Sequence, residues 1–276
     1  LIPFLLTRLL GAGVALLAMS CVVFALLGLM PGDPVAAEMS AKPDMTQASM
    51  AQLRRIYGAD EPVALRYWHW ANATLHGDLG FSIAQHRPVA EMVPTALGNT
   101  IALTGTAFAV AILTSVALGT VAALHRGGWL DRLIAVLTYI SISVPTFWLG
   151  LMLIYLFAVT LGWLPAGGMP GTGSGTVGTL THLALPVLTL AFVEFGAPTR
   201  YVRAAMLEVL SQDYIRAANA RGLSRLRVVV RHALRNAMIP VVTIIANGMG
   251  YLFSGALLTE TIFAWRGMGQ LILAGC

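Results

Sequence analysis

The sequence predicts an all-α integral membrane protein, and three observations carry that prediction. Hydrophobic residues make up 57% of the 276 residues and charged ones only 11%, against about 25% charged in a soluble domain. The apolar residues gather in uninterrupted blocks, the pattern a hydrocarbon solvent selects. The cations concentrate in the loops on one side of those blocks and form no patch interleaved with aromatics. The net charge of +5 is therefore a topology signal, and no nucleic-acid partner is expected.

The first block, residues 9–30, holds 22 residues and would cross roughly 30 Å of hydrocarbon. Arg8 precedes it, as a cation precedes a signal peptide's apolar core. Such cores run to only about 7–15 residues, so the block reads as a retained span. Residues 31–94 change character. They carry Lys42, Arg54, Arg55, Arg66 and Arg87 against Asp33, Glu38, Asp44, Asp60, Glu61, Asp78 and Glu91. Pro31-Gly32-Asp33-Pro34 stops the span, and a short amphipathic helix is expected over 45–57 with Thr46 as its N-cap.

Four more spans follow. The second covers 99–124 and ends at His125-Arg126-Gly127-Gly128. The third covers 133–161 and is interrupted by Ser141, Ser143 and Pro145. A Gly-, Thr- and Ser-rich stretch over 167–178 reads as a flexible or tightly turned loop. The fourth span covers 183–202 and the fifth 239–258. Five is an odd number, and Leu271-Ile272-Leu273-Ala274 looks like the start of another apolar segment. A sixth span is expected to be missing at the C-terminus, and the absence of Met at position 1 suggests trimming at the other end.

Eleven cations fall on one side: Arg8, Arg126, Arg132 and the eight arginines from Arg200 to Arg235. The other side holds six, over more residues and with more acids. By the positive-inside rule the N-terminus is cytoplasmic and the 31–94 loop extracytoplasmic.

The cytoplasmic loop over 203–238 is the most informative segment. Ser211-Gln212-Asp213 offers a helix start, 214–221 a short helix, and Gly222 the left-handed residue that ends one. Ser224 can cap a second helix over 225–237, before Pro240 leads into the fifth span. The small residues Ala217 and Ala218 would let another protein grip the short helix closely. A rigid peg of this kind can pass movement from a soluble partner into the attached spans.

At Arg216-Ala217-Ala218-Asn219-Ala220-Arg221-Gly222 the chain resembles the inner-membrane permeases of binding-protein-dependent ABC importers, specifically the dipeptide/oligopeptide/nickel family. The stretch Arg231-His232-Ala233-Leu234-Arg235-Asn236-Ala237-Met238-Ile239-Pro240 looks like the peptide branch. Arg216 stands where the broad signature has glutamate, so no acidic contact is carried over to it. Pro31-Gly32-Asp33-Pro34, Gly77-Asp78-Leu79-Gly80, Arg87-Pro88-Val89, Ser143-Val144-Pro145-Thr146-Phe147-Trp148-Leu149-Gly150 and Glu260-Thr261-Ile262-Phe263-Ala264-Trp265 look like further landmarks in the expected order. The resemblance implies a type I-like ABC importer transmembrane domain of six spans. It also implies a second homologous permease subunit, two cytoplasmic ATPase subunits that use ATP and Mg, and an extracytoplasmic substrate-binding protein. In a bacterium the site of action is the inner membrane. Tyr214, Arg216, Ala217, Ala218, Arg221 and Gly222 would couple to an ATPase, and short peptides would be the cargo.

The chain itself shows no nucleotide site, since a P-loop needs Gly-x-x-x-x-Gly-Lys-Ser/Thr and the only lysine is Lys42 in Ala41-Lys42-Pro43. No catalytic group and no bound cofactor are expected. Glu194 is the one carboxylate inside an apolar block, with Pro198 four residues on freeing its carbonyl. It marks either a polar point on the translocation path or an interfacial acid satisfied by an arginine such as Arg200. Ser143 and Asn247 are the other path candidates, with Ser141, Thr146 and Ser254, although such residues also pack spans together. His69, His76 and His86 lack metal-ligand spacing, and Trp68 and Trp70 read as interfacial anchors. Cys21 and Cys276 support no disulfide or metal site.

Rival readings keep distinct signatures. The same architecture could import nickel, glutathione or another small solute. An ion-coupled carrier would show internal repeats and several membrane carboxylates. An intramembrane enzyme would need a nucleophile–base pair or metal ligands within the spans.

Overall fold

The computed structural model describes residues 2–29, 61–82, 85, 87–171 and 173–275. Pro31-Gly32-Asp33-Pro34, the helix expected over 45–57, Lys42, His86 and Cys276 lie outside the described residues. The chain divides into two compact units, 1–80 and 81–276.

In the first unit, α1 (Ile2–Leu29) is a single 28-residue helix. Its side chains are exposed nearly all round, which suits an apolar helix bathed in lipid. One patch pairs with α2 (Val63–Leu75). There the Ser20 and Tyr67 hydroxyls lie 2.9 Å apart, and Phe24 packs edge-on against Tyr67 and beside Trp70. Trp68 points away and is exposed.

The second unit opens with a minimal antiparallel hairpin, β1 (Phe81–Ser82) and β2 (Arg87–Pro88). Pro88 then starts α3 (Val89–Leu124), with Glu91 in its first turn, where an acid suits the helix dipole. This helix begins ten residues before the expected second span and takes Pro94 inside it. The expected third span is broken. α4 (Trp129–Ser143) ends at Val144, α5 (Thr146–Leu153) resumes after Pro145, and π-helical turns run on through Ile154–Thr160. The two halves meet at 105°, because the residue before proline is pushed into extended backbone and Val144 has ψ 125.

α6 (Gly175–Leu210) overruns the expected fourth span at both ends. Its start shortens the loop expected over 167–178, whose last four residues are helical. Its end corrects the loop expected from 203, because Val202, Ala205 and Met206 continue a buried stripe with no breaker until Ser211. After α7 (Asp213–Ala220), α8 (Arg225–Arg227) passes through π-helical turns at Val228–Leu234 straight into α9 (Arg235–Ile262). The separate helix expected over 225–237 is therefore the foot of the last long helix, and Pro240 lies inside it. α10 (Met268–Gly275) follows a tight reversal.

Ile2–Gly28, Val89–Leu124, Gly175–Leu210 and Arg225–Gly248 are each long and apolar enough to cross a membrane, and the α4–α5 pair makes a fifth span if counted as one. α3 and α6 form the spine. At Gly119 an added Cβ would stand 2.7 Å from Val202 Cβ and 2.8 Å from the Thr199 carbonyl. At Gly196 it would meet Ser141 Oγ and come within 2.8 Å of the Thr138 carbonyl. Small residues bring the backbones this close where lipid supplies no hydrophobic drive. Three apolar clusters stack along the unit: Leu103, Leu183 and Trp265 at one end, Phe195 with Ala111 and Ala191 in the middle, and Met206 with Ile215 and Val229 at the other.

Candidate functional site

The site grows from the sequence Ser211 to Ser224, where two long helices must be joined across a short gap. Ser211 and Gln212 turn back on α6, with the Ser211 N–H donating to Glu208 O at 3.3 Å and Gln212 N–H to Val209 O at 3.1 Å. Gln212 takes the N-cap position in extended backbone, and Asp213 lies in the first turn. The helix ends where the Gly222 N–H donates to Asn219 O at 3.0 Å. Gly222 has φ +73, a conformation glycine adopts without the Cβ penalty. Ser224 occupies the next N-cap, though its side chain makes no capping bond.

Eight residues cannot hold a helix alone, so α7 depends on its anchors. Ile215 and Ala218, at helical i and i+3 spacing, are buried among Ala123, Val202, Met206, Val228, Val229 and Ala233. Tyr214 accepts a 3.0 Å hydrogen bond from Asn236 Nδ2 at the start of α9. Tyr214, Arg216, Ala217, Arg221 and Gly222 are exposed, and Arg216 pairs loosely with Asp213 at 3.3 Å. The two alanines expected to act together are thus split: Ala217 faces outward, while Ala218 packs into the chain's own core. That corrects the placing of Ala218 on the grip surface, and the reason is helical periodicity, which puts neighbours about 100° apart. Ile215, the anchor itself, was readable from its i, i+3 spacing with Ala218 but was not singled out.

On α6, ten residues before α7 begins, lies one end of an ion pair the sequence analysis did not find. Arg203 donates from Nε to Asp131 Oδ1 at 2.6 Å and from Nη2 to Oδ2 at 2.8 Å. The Gly127 N–H adds a 2.9 Å bond to Oδ2. Asp131 is buried, and its bidentate partner lies 72 residues away. Charge-assisted forks of this type are the strong ones. The pair joins the α3–α4 turn to the helix that carries α7.

At the opposite end of the unit, a second buried carboxylate organises the reversal after α9. Glu260 is fully buried. It receives hydrogen bonds from Thr100 Oγ1 at 2.5 Å, Gly269 N–H at 2.7 Å and Gln270 N–H at 3.3 Å. Thr100 Oγ1 in turn accepts from the Met268 N–H at 2.8 Å. The carboxylate therefore caps the first turn of α10 from a distance, where free N–H groups favour an anion. Gly267 lies against it so closely that any Cβ would collide with the carboxylate. Phe263 and Trp265 are buried beside it, the Trp265 indole donating to Asn99 O at 2.9 Å. The Phe263 carbonyl accepts from the Gly168 N–H at 2.7 Å, which ties the start of the 167–178 stretch to this reversal.

The path candidates lie on three different elements. Glu194 is half-buried on α6, Ser143 is exposed at the α4–α5 break, and Asn247 is exposed on α9. The described cavities are lined by other residues. Arg200 lies over the Tyr139 ring at 5.7 Å, which corrects the idea that it pairs with Glu194. Six residues apart on a helix, the two point to different faces. Ser141 is buried and donates to Thr138 O at 2.9 Å, so it is a packing residue, whereas the Ser254 side chain lies outside the described ones. Among the described residues no group of three metal-ligating side chains occurs. His69 meets Glu61 at 3.2 Å.

Comparison with known proteins finds matches along nearly the whole length. Residues 115–275 match the family described as binding-protein-dependent transport system inner membrane component. Residues 1–104 match the N-terminal membrane component of such systems. A Brucella suis protein provisionally named a peptide permease is 40% identical over 268 residues, covering 96% of this chain and 84% of that protein. The glutathione transport system permease proteins of Salmonella typhimurium and Escherichia coli are 38% and 37% identical over 273 residues, covering 99% of this chain and 86% of each relative.

Proposed function

The chain belongs to the family of inner-membrane components of binding-protein-dependent transport systems, and from that premise we propose that it is the permease subunit through which short peptides enter a bacterial cell. It is a multi-pass membrane component of an ABC importer. The finer reading has the N-terminus cytoplasmic, with a second homologous permease completing the pathway. Two ATPase subunits bind ATP and Mg, one of them docking on α7, and an external binding protein delivers cargo. The chain contributes no covalent chemistry. Glutathione, itself a tripeptide, is the second cargo, favoured by the named function of two relatives.

The observation that carries this reading is the construction of α7. A short helix presents Tyr214, Arg216, Ala217 and Arg221 outward while Ile215 and Ala218 lock it to the feet of α6 and α9. A push on such a peg reaches both long helices at once, since its own joints are too short to absorb it. Closure of the ATPases on ATP would rock these helices and exchange access between the two faces. The test is reconstitution of the permease pair with its ATPases and binding protein in liposomes. Di- and tripeptides, glutathione and nickel should be compared for stimulation of ATP hydrolysis and for uptake. Peptide-stimulated hydrolysis with uptake is expected. Transport by this polypeptide alone on an ion gradient would overturn the reading.

A further inference from the structure

We propose that the cavity between the start of α4 and the end of α6 binds the phosphate of an anionic phospholipid headgroup. The cavity measures about 300 Å³, and Asp131, Arg132, Tyr139, Arg200 and Arg203 are among the residues that line it. Three arginines face one carboxylate there. Both oxygens of that carboxylate are engaged by Arg203, and one also by the Gly127 N–H. Arg132 and Arg200 are exposed and have no ion-pair partner among the described residues. The cavity therefore holds two uncompensated cations. Tyr139 lies under the Arg200 guanidinium at 5.7 Å, which holds that cation in place and leaves its edge free to donate.

The surroundings select a lipid over a soluble anion or a protein acid. Outside the cavity, the remaining circumference of α4 carries Leu133, Val136 and Ile140, all exposed and apolar, as a helix flanked by acyl chains should. Trp129, 71% exposed at the first residue of α4, is the residue type that sits at headgroup level. Arg200 and Arg203 come about 25 residues into α6, roughly 38 Å from its start, which is the depth of the opposite headgroup layer. Basic pockets between spans at this level suit anionic headgroups. Placement in the cytoplasmic leaflet rests on the orientation proposed above. The lipid would brace the Asp131–Arg203 fork on the helix that leads into α7.

The assembled transporter, purified and exchanged into nanodiscs of phosphatidylglycerol and phosphatidylcholine, provides the test, with lipid retained on the protein read by native mass spectrometry. Selective, salt-sensitive retention of phosphatidylglycerol is expected. Arg132→Gln and Arg200→Gln should each weaken it by about fivefold, the effect of roughly one cation near an anionic surface. Arg225→Gln, which removes an exposed cation of the 203–238 segment outside the cavity, should not. Equal retention of both lipids, or unchanged retention in the double variant, would overturn the proposal. So would displacement by millimolar inorganic phosphate, which would reveal a site for free anions. If the double variant fails to assemble, the salt dependence of phosphatidylglycerol retention in the unmodified transporter decides the matter. Lipid retention and peptide uptake are separate readouts, so failure of one leaves the other standing.

Discussion

The Thr100 hydroxyl donates to the Glu260 carboxylate at 2.5 Å, joining two helices 160 residues apart in sequence at a point with no access to solvent. No cation takes part in the hydrogen bonds described there. The carboxylate is held by a hydroxyl and by the N–H groups that open α10, so its neighbours are donors throughout. Replacing either partner leaves a buried polar group unmet.

Thr100→Val should lower stability by about 1–3 kcal/mol, the cost of a buried group left unsatisfied, because it strands Glu260 Oε1 and the Met268 N–H. Glu260→Gln should do the same, because the amide has one acceptor oxygen in place of two: if that oxygen meets the α10 N–H groups, its NH2 faces the Thr100 hydroxyl, which then loses its acceptor. Thermal unfolding of the detergent-solubilised complex measures both. Wild-type melting in the two variants would show that the contact contributes nothing.

Gly222→Pro should leave membrane insertion intact and abolish ATP-driven uptake, since proline holds φ near −65° where the chain needs +73. Gly222→Ala should give a milder defect, with a cost of about 1–2 kcal/mol for the left-handed backbone. Uptake assays beside a membrane-fraction blot separate coupling from expression. Normal uptake by the proline variant would remove α7 from the coupling role.

Asp131→Asn should weaken the tie between the α3–α4 turn and α6. The expected loss is about 1–3 kcal/mol, toward the lower end because Arg203 is 34% exposed and water can replace part of the interaction. A double-mutant cycle with Arg203→Met isolates the pair. Additive effects would mean the fork carries no coupling energy.

Gly119→Leu and Gly196→Leu should each impair assembly, because the added side chain must displace backbone at Thr199 and Thr138 respectively. Overpacking of this sort costs about 1–3 kcal/mol or more. Gly105→Leu, where nothing lies within 4 Å of an added Cβ, is the matched control. Equal yields of all three would place the helix crossings elsewhere.

Much of the fold was legible because the signals are local. The Val144-Pro145 break shows in the sequence, since proline restricts the residue before it whatever surrounds it. Gly222 was readable as a helix stop for the same reason, and a run of apolar residues announces a span because every backbone group in lipid must be met within the helix. Helix ends were less legible. α3 and α6 run beyond their apolar windows because a helix continues past the hydrocarbon wherever one face finds a partner, as Val202, Ala205 and Met206 do. The foot of α9 looks separate in the sequence because Pro240 resembles a boundary, yet the helix carries it in its interior.

By itself, the sequence determined that this chain crosses a membrane several times, where it bends, and that a short helix ending in glycine hangs in its most basic loop. Tertiary structure alone decided that Ala217 faces outward while Ala218 faces inward, that Asp131 clasps Arg203 72 residues away, and that Glu260 is buried against Thr100 and α10. The physical reason is range. Solvent and backbone sterics act on each residue where it stands, whereas a buried charge is tolerable only beside particular donors, and those are chosen by which helices come to face each other.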